Sequence, residues 1–397
     1  MIINDKRALA YIAEIKEILP IEGYDRVETA VVGGWRVIVS KTDNFKPGDK
    51  CVYFEIDSLV PKEDARFAFL EKRKYAIKTL KMCKTISQGL VMPLSIFPEI
   101  DGAPVGTDVT DILGVKYYVP EDNQRKSNNP PVIMSTKRKE LSKHWWYSIV
   151  MKCELGRKFV RSILKEETPQ GFPTKFEYIK RTDEERIENL SFLYGYKNPL
   201  IVTEKIDGTS ATYIVERLKG KMKFKFYVCT RNRTIPVDEG SVYWRLANKY
   251  RIRELLELYL RTNPNINYVC LQGEAISTNI QGNPYNVKGD DLYIFNVIDS
   301  INGRYNSSDA KALLRVMQTA LYKELKNEVT KSDISIKFVP ILDTNYYLPD
   351  NIDDIKKDAT DKSVLNPDVY REGVVLRDPL EGLSFKNVSR EYLLKRD

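Results

Sequence analysis

The segment Val202–Ala211 (VTEKIDGTSA) runs an apolar stretch into Glu204 and Lys205, and Asp207 and Gly208 then turn the chain before a second apolar stretch. A lysine placed this way stands at the mouth of a sheet, not on a solvated helix face. Its amine becomes a nucleophile only after losing a proton, and its ordinary pKa of ~10.4 opposes that at neutral pH. Burial and neighbouring positive charge, a metal ion included, lower it. Four residues of the form KxDG also suit a plain hairpin turn with an exposed lysine, so the sequel carries the weight. In order along the chain come CTRN (Cys229–Asn232), ending a strand in Arg231 and Asn232; LQGE, ending another in Glu274; LYIFN, with Phe295; REGVVLR, opening a strand with Glu372; and LSFK, with Lys386 near the end of a final strand. Each residue has an ordinary structural reading as a surface pair, a turn carboxylate or a core ring. Together they are a nucleophile, two carboxylates for a sugar and a metal ion, an aromatic platform and a phosphate-binding lysine. That inventory suits phosphoryl transfer, in which positioning and charge neutralisation do most of the catalysis.

These residues need strands to hold them. From residue 172 to 397 strands and helices alternate: strands at 200–204, 210–217, 223–230, 268–274, 291–298, 336–342, 372–377 and 382–386, with amphipathic helices at Ser241–Arg261 and Ser307–Asn327. Hairpin-like runs such as FKFYVC predict largely antiparallel sheets, an α+β domain and not a doubly wound one. Thr182 followed by three carboxylates reads as a helix N-terminus over 182–190. Before this, residues 1–120 read as an all-β unit after one short opening helix, with strands at 35–40, 51–56, 77–82 and 89–93. Several short strands in about a hundred residues suit a small barrel of the oligonucleotide-binding type, and other small barrels fit equally. Residues 121–171 read as a basic linker or insertion. It opens on EDNQRKSNNPP and gathers Lys137, Arg138, Lys139, Lys143, Lys152, Arg157, Lys158 and Arg161 around His144, Trp145, Trp146 and Tyr147. That segment is either a packed insertion with a solvated basic face or a nucleic-acid contact surface.

Composition excludes several classes. His144 is the one histidine, so a multi-histidine metal site is impossible and a Ser–His–Asp hydrolase would have to run through it. The five cysteines form no CxxC pair, which argues against a zinc cluster or disulfide scaffold and for reduced thiols in an intracellular, cytoplasmic protein. No apolar run reaches the ~18–20 residues of a membrane span, and the charged N-terminus is no signal peptide. The net charge of +8, with 63 Lys and Arg, favours polyanionic partners.

Six ordered motifs over residues 203–386 make the sequence resemble the covalent nucleotidyltransferase superfamily of nucleic-acid ligases and mRNA capping enzymes. The resemblance implies an ATP-grasp-like ligase domain of antiparallel sheets with flanking helices. It implies Lys205 as the adenylylated nucleophile, with Glu204, Arg231, Asn232, Glu274, Phe295, Glu372 and Lys386 binding the nucleotide and Glu372 also holding a catalytic metal, Mg²⁺ or Mn²⁺. Within this group, Glu274 falls at the ribose-binding position, Phe295 at the adenine-stacking position and Lys386 at the α-phosphate. Capping enzymes and typical DNA ligases place an oligonucleotide-binding domain after the last motif. Here the sequence ends eleven residues past Lys386 and the only candidate barrel comes first. That order, together with KTLKM (78–82), ISQGL (86–90), TDEER (182–186) and IQGN (280–283), resembles the Deinococcus-type (fifth) family of ATP-dependent RNA ligases. The implied activity is joining of RNA 3′-OH and 5′-phosphate ends through lysyl-AMP and an RNA-adenylate; a monomer is the favoured state, which the sequence does not itself encode. The alternatives are a DNA ligase, a guanylyltransferase or an inactive RNA-binding relic of the fold. Two departures stand out: Ser384 occupies the first of two usual lysine positions, leaving Lys386 to share its role with a cation from elsewhere such as Arg390, and Phe295 is followed by Asn296 in place of the commoner aspartate.

Overall fold

A computed structural model describes residues 2–3, 6–118, 142–150, 153–156, 160, 171–218, 223–238 and 240–395. The linker at 121–131 and most of the basic cluster expected at 121–171 lie outside these residues. In the N-terminal domain, alternation of apolar residues builds a five-stranded antiparallel sheet from β1 (Ala10–Pro20), β2 (Val27–Val32), β3 (Trp35–Ser40), β4 (Lys50–Phe54) and, after β5 (Ser58–Leu59), β6 (Ala76–Ile77) and a short hairpin of Leu80–Met82 with Thr85–Ser87, β7 (Leu90–Pro93). The order is β7-β4-β1-β2-β3. Both faces are covered: Ile12, Val52 and Phe54 pack one way, and Tyr11, Tyr53 and Trp35 the other. A final strand, β8 (Lys116–Tyr117), joins β5 and β6 in a small second sheet. The expected opening helix is instead β1. Its first half pairs with β4 and its second with β2, and between Ile15 and Glu17 the register slips by a β-bulge. The bulge breaks the two-residue alternation, so Ile12, Ile15 and Ile18 fall three apart and imitate a helical stripe.

The C-terminal domain is two sheets. One has the order β9-β18-β17-β10-β16, from β9 (Glu185–Arg186), β10 (Leu200–Lys205), β16 (Ile341–Tyr346), β17 (Gly373–Arg377) and β18 (Ser384–Val388). The other, of seven strands, centres on β11 (Thr209–Arg217), β12 (Phe224–Thr230), β13 (Tyr268–Ile276) and β14 (Asp291–Asp299), with β15 (Lys337–Phe338) on the edge of β14. Apart from β9 on β18 and β15 on β14, the pairings are antiparallel. Helices α1 (Val242–Lys249), α2 (Ile252–Thr262) and α3 (Ser307–Leu325) cover the larger sheet with the apolar stripe Leu246, Leu256, Leu260, Leu314 and Leu321. Short α4 (Ile352–Asp358) and α5 (Arg390–Lys395) complete the domain.

Three expected elements come out differently. Ser241–Arg261 is two helices, because Arg251 turns left-handed at φ 50° and breaks the run. Residues 336–342 are two strands in different sheets, split at Pro340, whose missing N–H cannot serve a ladder. Residues 182–190 form no α-helix but the short strand β9 and one 3₁₀ turn, Ile187–Asn189. Their carboxylates are drawn to separate tertiary cations: Asp183 to Arg231 and Lys386, Glu184 to Arg377, and Glu188 to Lys356.

That same segment seats the N-terminal domain. The Trp35 indole N–H donates to Asn189 Oδ1 at 2.9 Å, the Arg186 guanidinium lies 5.8 Å from the Trp35 ring, and Arg36 meets Asp353 at 2.9 Å. A Cβ on Gly34 would stand 2.8 Å from the Glu188 backbone, so this approach requires glycine. Beneath it Lys356 Nζ lies 2.7 Å from Glu188 Oε1 and 2.6 Å from the Val388 carbonyl, both side chains almost wholly buried. All five cysteines are free, and among the described residues no helix is long and apolar enough to cross a membrane.

Removing one partner of a buried ion pair leaves the other charge uncompensated. Lys356→Met should therefore cost about 3–5 kcal/mol in urea unfolding, and Lys356→Met with Glu188→Leu should regain most of it. A single substitution that leaves the midpoint unchanged would show that the pair carries no such charge.

Candidate active site

Strands β10 and β11 do not form a hairpin. They belong to different sheets, and Ile206, Asp207 and Gly208 cross from one to the other. Lys205, the last residue of β10, thus stands at the seam of the two sheets, in a cleft of about 390 Å³. The crossing is tight. A Cβ on Gly208 would lie 2.5 Å from the Ala275 carbonyl, and one on Gly373, paired with Lys205, would lie 2.1 Å from the Asn387 carbonyl. Tyr285 Oη receives the Asp207 N–H at 2.7 Å, and Tyr392 on α5 donates its hydroxyl to the Asp207 carboxylate.

Lys205 Nζ lies 2.7 Å from Glu372 Oε2. Burial pulls the lysine pKa down, but Glu372, Glu274 and Asp207 outweigh it and hold the ammonium above its ordinary value. Burial acts in the expected direction, but these carboxylates outweigh it and must be neutralised before the amine can react. Glu274, on β13 opposite Ser210, carries the counterpart of this crowding. Burial, with Glu372 and Asp207 adding repulsion against the pull of Lys205, pushes its pKa up to about 8.

Arg231 follows the last residue of β12, and Lys386 lies in β18. Asp183 joins them, 2.7 Å from Arg231 Nη2 and 3.2 Å from Lys386 Nζ. Burial depresses the Lys386 pKa, Arg186 and Lys205 add repulsion, and Asp183 partly offsets both. Phe295 also lines the cleft. It is the extra residue of a β-bulge, since Gln272 pairs with Asn296 but Gly273 pairs with Ile294, and such bulges re-aim a side chain. Arg377 fastens this bulge, donating from Nη1 to the Phe295 carbonyl at 2.8 Å. Asn296 points away into the core and donates to Gln272 Oε1 at 2.8 Å.

The expected set also includes Glu204 and Asn232, and of these Glu204 lines the cleft. Glu204 is buried, with Oε1 accepting from Ser363 Oγ at 2.5 Å and Oε2 from the Val364 N–H at 2.9 Å, so its carboxylate anchors the 363–364 turn. Asn232 lies outside the lining of the cleft, and its carbonyl accepts the Phe172 N–H. Arg390 is committed to Asp353 at 2.7 Å. The cation nearest to Ser384 is instead its cross-strand partner Arg377, whose Nε reaches Ser384 Oγ at 3.3 Å. Burial brings the Arg377 pKa down to about 10. Asp183, Asp207 and Arg377 were not singled out from the sequence: the first read as a helix start, the second as a turn, the third as a strand end.

Among the described residues no three His, Cys, Asp or Glu side chains converge closely enough to enclose a bare metal ion. The acidic set that does act on Lys205, namely Glu372, Glu274 and Asp207, fits a hydrated divalent cation held through water, with Glu372 the member facing the lysine.

A carboxyl whose folded-state pKa lies above its unfolded value favours folding in its protonated form. That contribution is complete below the unfolded pKa and is lost as pH rises through the folded one. For Glu274 the loss spans about pH 4.5 to 8. Glu274→Gln should accordingly melt several degrees higher than the parent at pH 8.5 and level with it at pH 4. Parallel melting curves across that range would contradict the raised value.

A family model described as an OB-fold domain matches residues 9–94, and one described as RNA ligase matches residues 198–395. No curated protein matches the sequence. Among solved structures, Naegleria gruberi RNA ligase with pyrophosphate is 30% identical, covers 98% of this chain and 99% of its own, and superposes with a TM-score of 0.65. A glutamate-to-alanine variant of that ligase with AMP and manganese gives 31% identity, the same 98% and 99% coverage and a TM-score of 0.65. A lysine-to-alanine variant with ATP and manganese gives 30%, 98% of each chain and 0.64. The likeness runs through the N-terminal OB-fold domain and the α+β domain alike, and it takes in the seam where Lys205 sits: the chain belongs to the RNA ligase family.

Proposed function

We propose that the chain is an ATP-dependent RNA ligase that joins 3′-OH and 5′-phosphate ends through a lysyl-AMP intermediate, of the Deinococcus type in which the OB-fold domain precedes the catalytic one. The observation that carries this reading is the seam itself, where a lysine paired with a carboxylate shares one cleft with Arg231, Glu274, Phe295 and Lys386. Spacing adds support. Lys205 and Asp207 stand two apart, and Glu372 and Lys386 fourteen apart, matching the substituted lysine and aspartate, and glutamate and lysine, of the Naegleria structures. That ligase was solved with ATP, AMP and manganese.

In the first step the deprotonated Lys205 Nζ attacks the α-phosphorus of ATP. The N–P bond forms, the bond to the bridging oxygen breaks, and pyrophosphate leaves. Phe295 supplies the ring against which adenine stacks, and Glu274 accepts a hydrogen bond from the ribose. Lys386 and Arg231 neutralise phosphate oxygens, positioning being most of what phosphoryl transfer asks of a protein. A divalent cation, Mg²⁺ or Mn²⁺, held through Glu372 would neutralise further phosphate charge and favour the unprotonated lysine. In the second step a 5′-phosphate oxygen of RNA attacks the AMP phosphorus, freeing Lys205 and leaving an RNA-adenylate. In the third the 3′-OH attacks the RNA phosphorus, forming the phosphodiester and expelling AMP. The N-terminal domain serves these later steps by holding RNA, with salt-sensitive affinity as phosphate contacts release counterions.

With α-³²P-ATP and metal, the parent chain should carry a label that survives denaturing electrophoresis and that pyrophosphate removes, while Lys205→Ala should carry none. Label from GTP alone would indicate a guanylyltransferase, and RNA binding with no label from either nucleotide an inactive relic.

A further inference from the structure

Arg231 and Lys386 come from different sheets, yet one carboxylate spans them. Asp183 offers Oδ2 to Arg231 and Oδ1 to Lys386, at 2.7 and 3.2 Å. Two oxygens on one centre, each taking a charged donor, reproduce what a phosphate would present at the same point. The backbone beneath is held on both sides. Thr182 Oγ1 meets Ser210 Oγ at 2.8 Å, and Glu185 and Arg186 pair in parallel with Phe385 and Lys386. Glu184, next in sequence, is occupied elsewhere by Arg304 and Arg377. The Asp183 side chain itself is 54% exposed, so it can rotate away from the cations without disturbing the strand that carries it.

We propose that Asp183 is an internal stand-in for phosphate, occupying the Arg231–Lys386 anion site when no nucleotide is bound and giving it up to the phosphates of ATP. The idea rests on the cleft being the adenylylation site. The Arg231–Asp183 pair joins two half-exposed groups, and such pairs are weak, so a polyphosphate displaces the carboxylate readily. A singly charged anion gains little by the exchange. Asp183 thereby sets how much more tightly the site holds a polyphosphate than a simple anion. It is a positioning residue that acts through Arg231 and Lys386.

The full-length Asp183→Asn variant keeps the side chain's size and removes its charge. It should bind metal-free pyrophosphate about fivefold more tightly than the parent by calorimetry at low salt. Its KM for ATP in self-labelling should fall by a similar factor while the rate at saturating ATP holds within about twofold, and Asp183→Glu should behave as the parent. Equal pyrophosphate affinity in parent and Asp183→Asn, or a KM that rises, would overturn the proposal, the latter by showing that the carboxylate holds substrate or metal. A parent chain that takes no label overturns the ligase reading instead, and the pyrophosphate comparison still decides the role of Asp183.

Discussion

An amine cannot attack phosphorus while neighbouring carboxylates hold its proton, and the cleft is built around that conflict. Glu372, Glu274 and Asp207 converge electrostatically on Lys205, and together they outweigh the burial that would otherwise release its proton. Each comes from a different part of the fold: the residue just before β17, the last third of β13, and the crossing between sheets. Under the proposed mechanism Lys205 is therefore quiescent until something relieves this acidic field. A nucleotide arriving with a divalent cation brings positive charge to the carboxylates and a target to the lysine at once.

Such a conflict persists only if the two sheets stay in register with each other. Backbone does most of this. The chain passes from one sheet to the other at Lys205–Thr209 and again at Pro340, and the glycines at 208 and 373 let the neighbouring strands close to distances that a Cβ would forbid. Side chains finish the work. Arg377 reaches out of the smaller sheet to the carbonyl at the Phe295 bulge of the larger one, and Tyr285 and Tyr392 hold Asp207 from either side. The segment 182–194 extends the arrangement outward, one end lining the cleft through Asp183 and the other seating Trp35 of the OB-fold domain.

Much of this was legible in the sequence where strands obey a simple alternation. Trp35–Ser40, Phe224–Thr230 and Tyr268–Ile276 fall almost where their apolar period puts them, and Lys205, Glu274, Phe295, Glu372 and Lys386 do converge. What was hidden has a common cause, since it depends on partners distant in the chain. The bulge in β1 turned a strand into an apparent helical stripe. The acidic run at 183–188 has the composition of a helix start, but five cations distant in the chain claim its side chains. The Asp207-Gly208 turn looks local and is instead a passage between sheets. Asp183 meets Arg231 and Lys386, and Arg377 meets Phe295 and Glu184, contacts between residues far apart in the chain that no spacing records.

Ser384 illustrates how strand register can relocate a charge. The motif usually carries lysines two residues apart, on one face of one strand. Here the position two before Lys386 is a serine, and directly across the ladder stands Arg377, which reaches back to the serine hydroxyl and lines the same cleft. A lysine at 384 would face the Arg377 guanidinium at close range, and like charges directly opposite on a sheet are destabilising. The small hydroxyl accepts from that guanidinium instead. Serine at 384 and arginine at 377 are thus mutually consistent, and the second cation survives as a positive charge on the neighbouring strand. It is less free than a lysine would be, because the Phe295 carbonyl already holds one of its nitrogens. One side chain therefore both stands beside Ser384 and fastens the bulge that carries Phe295.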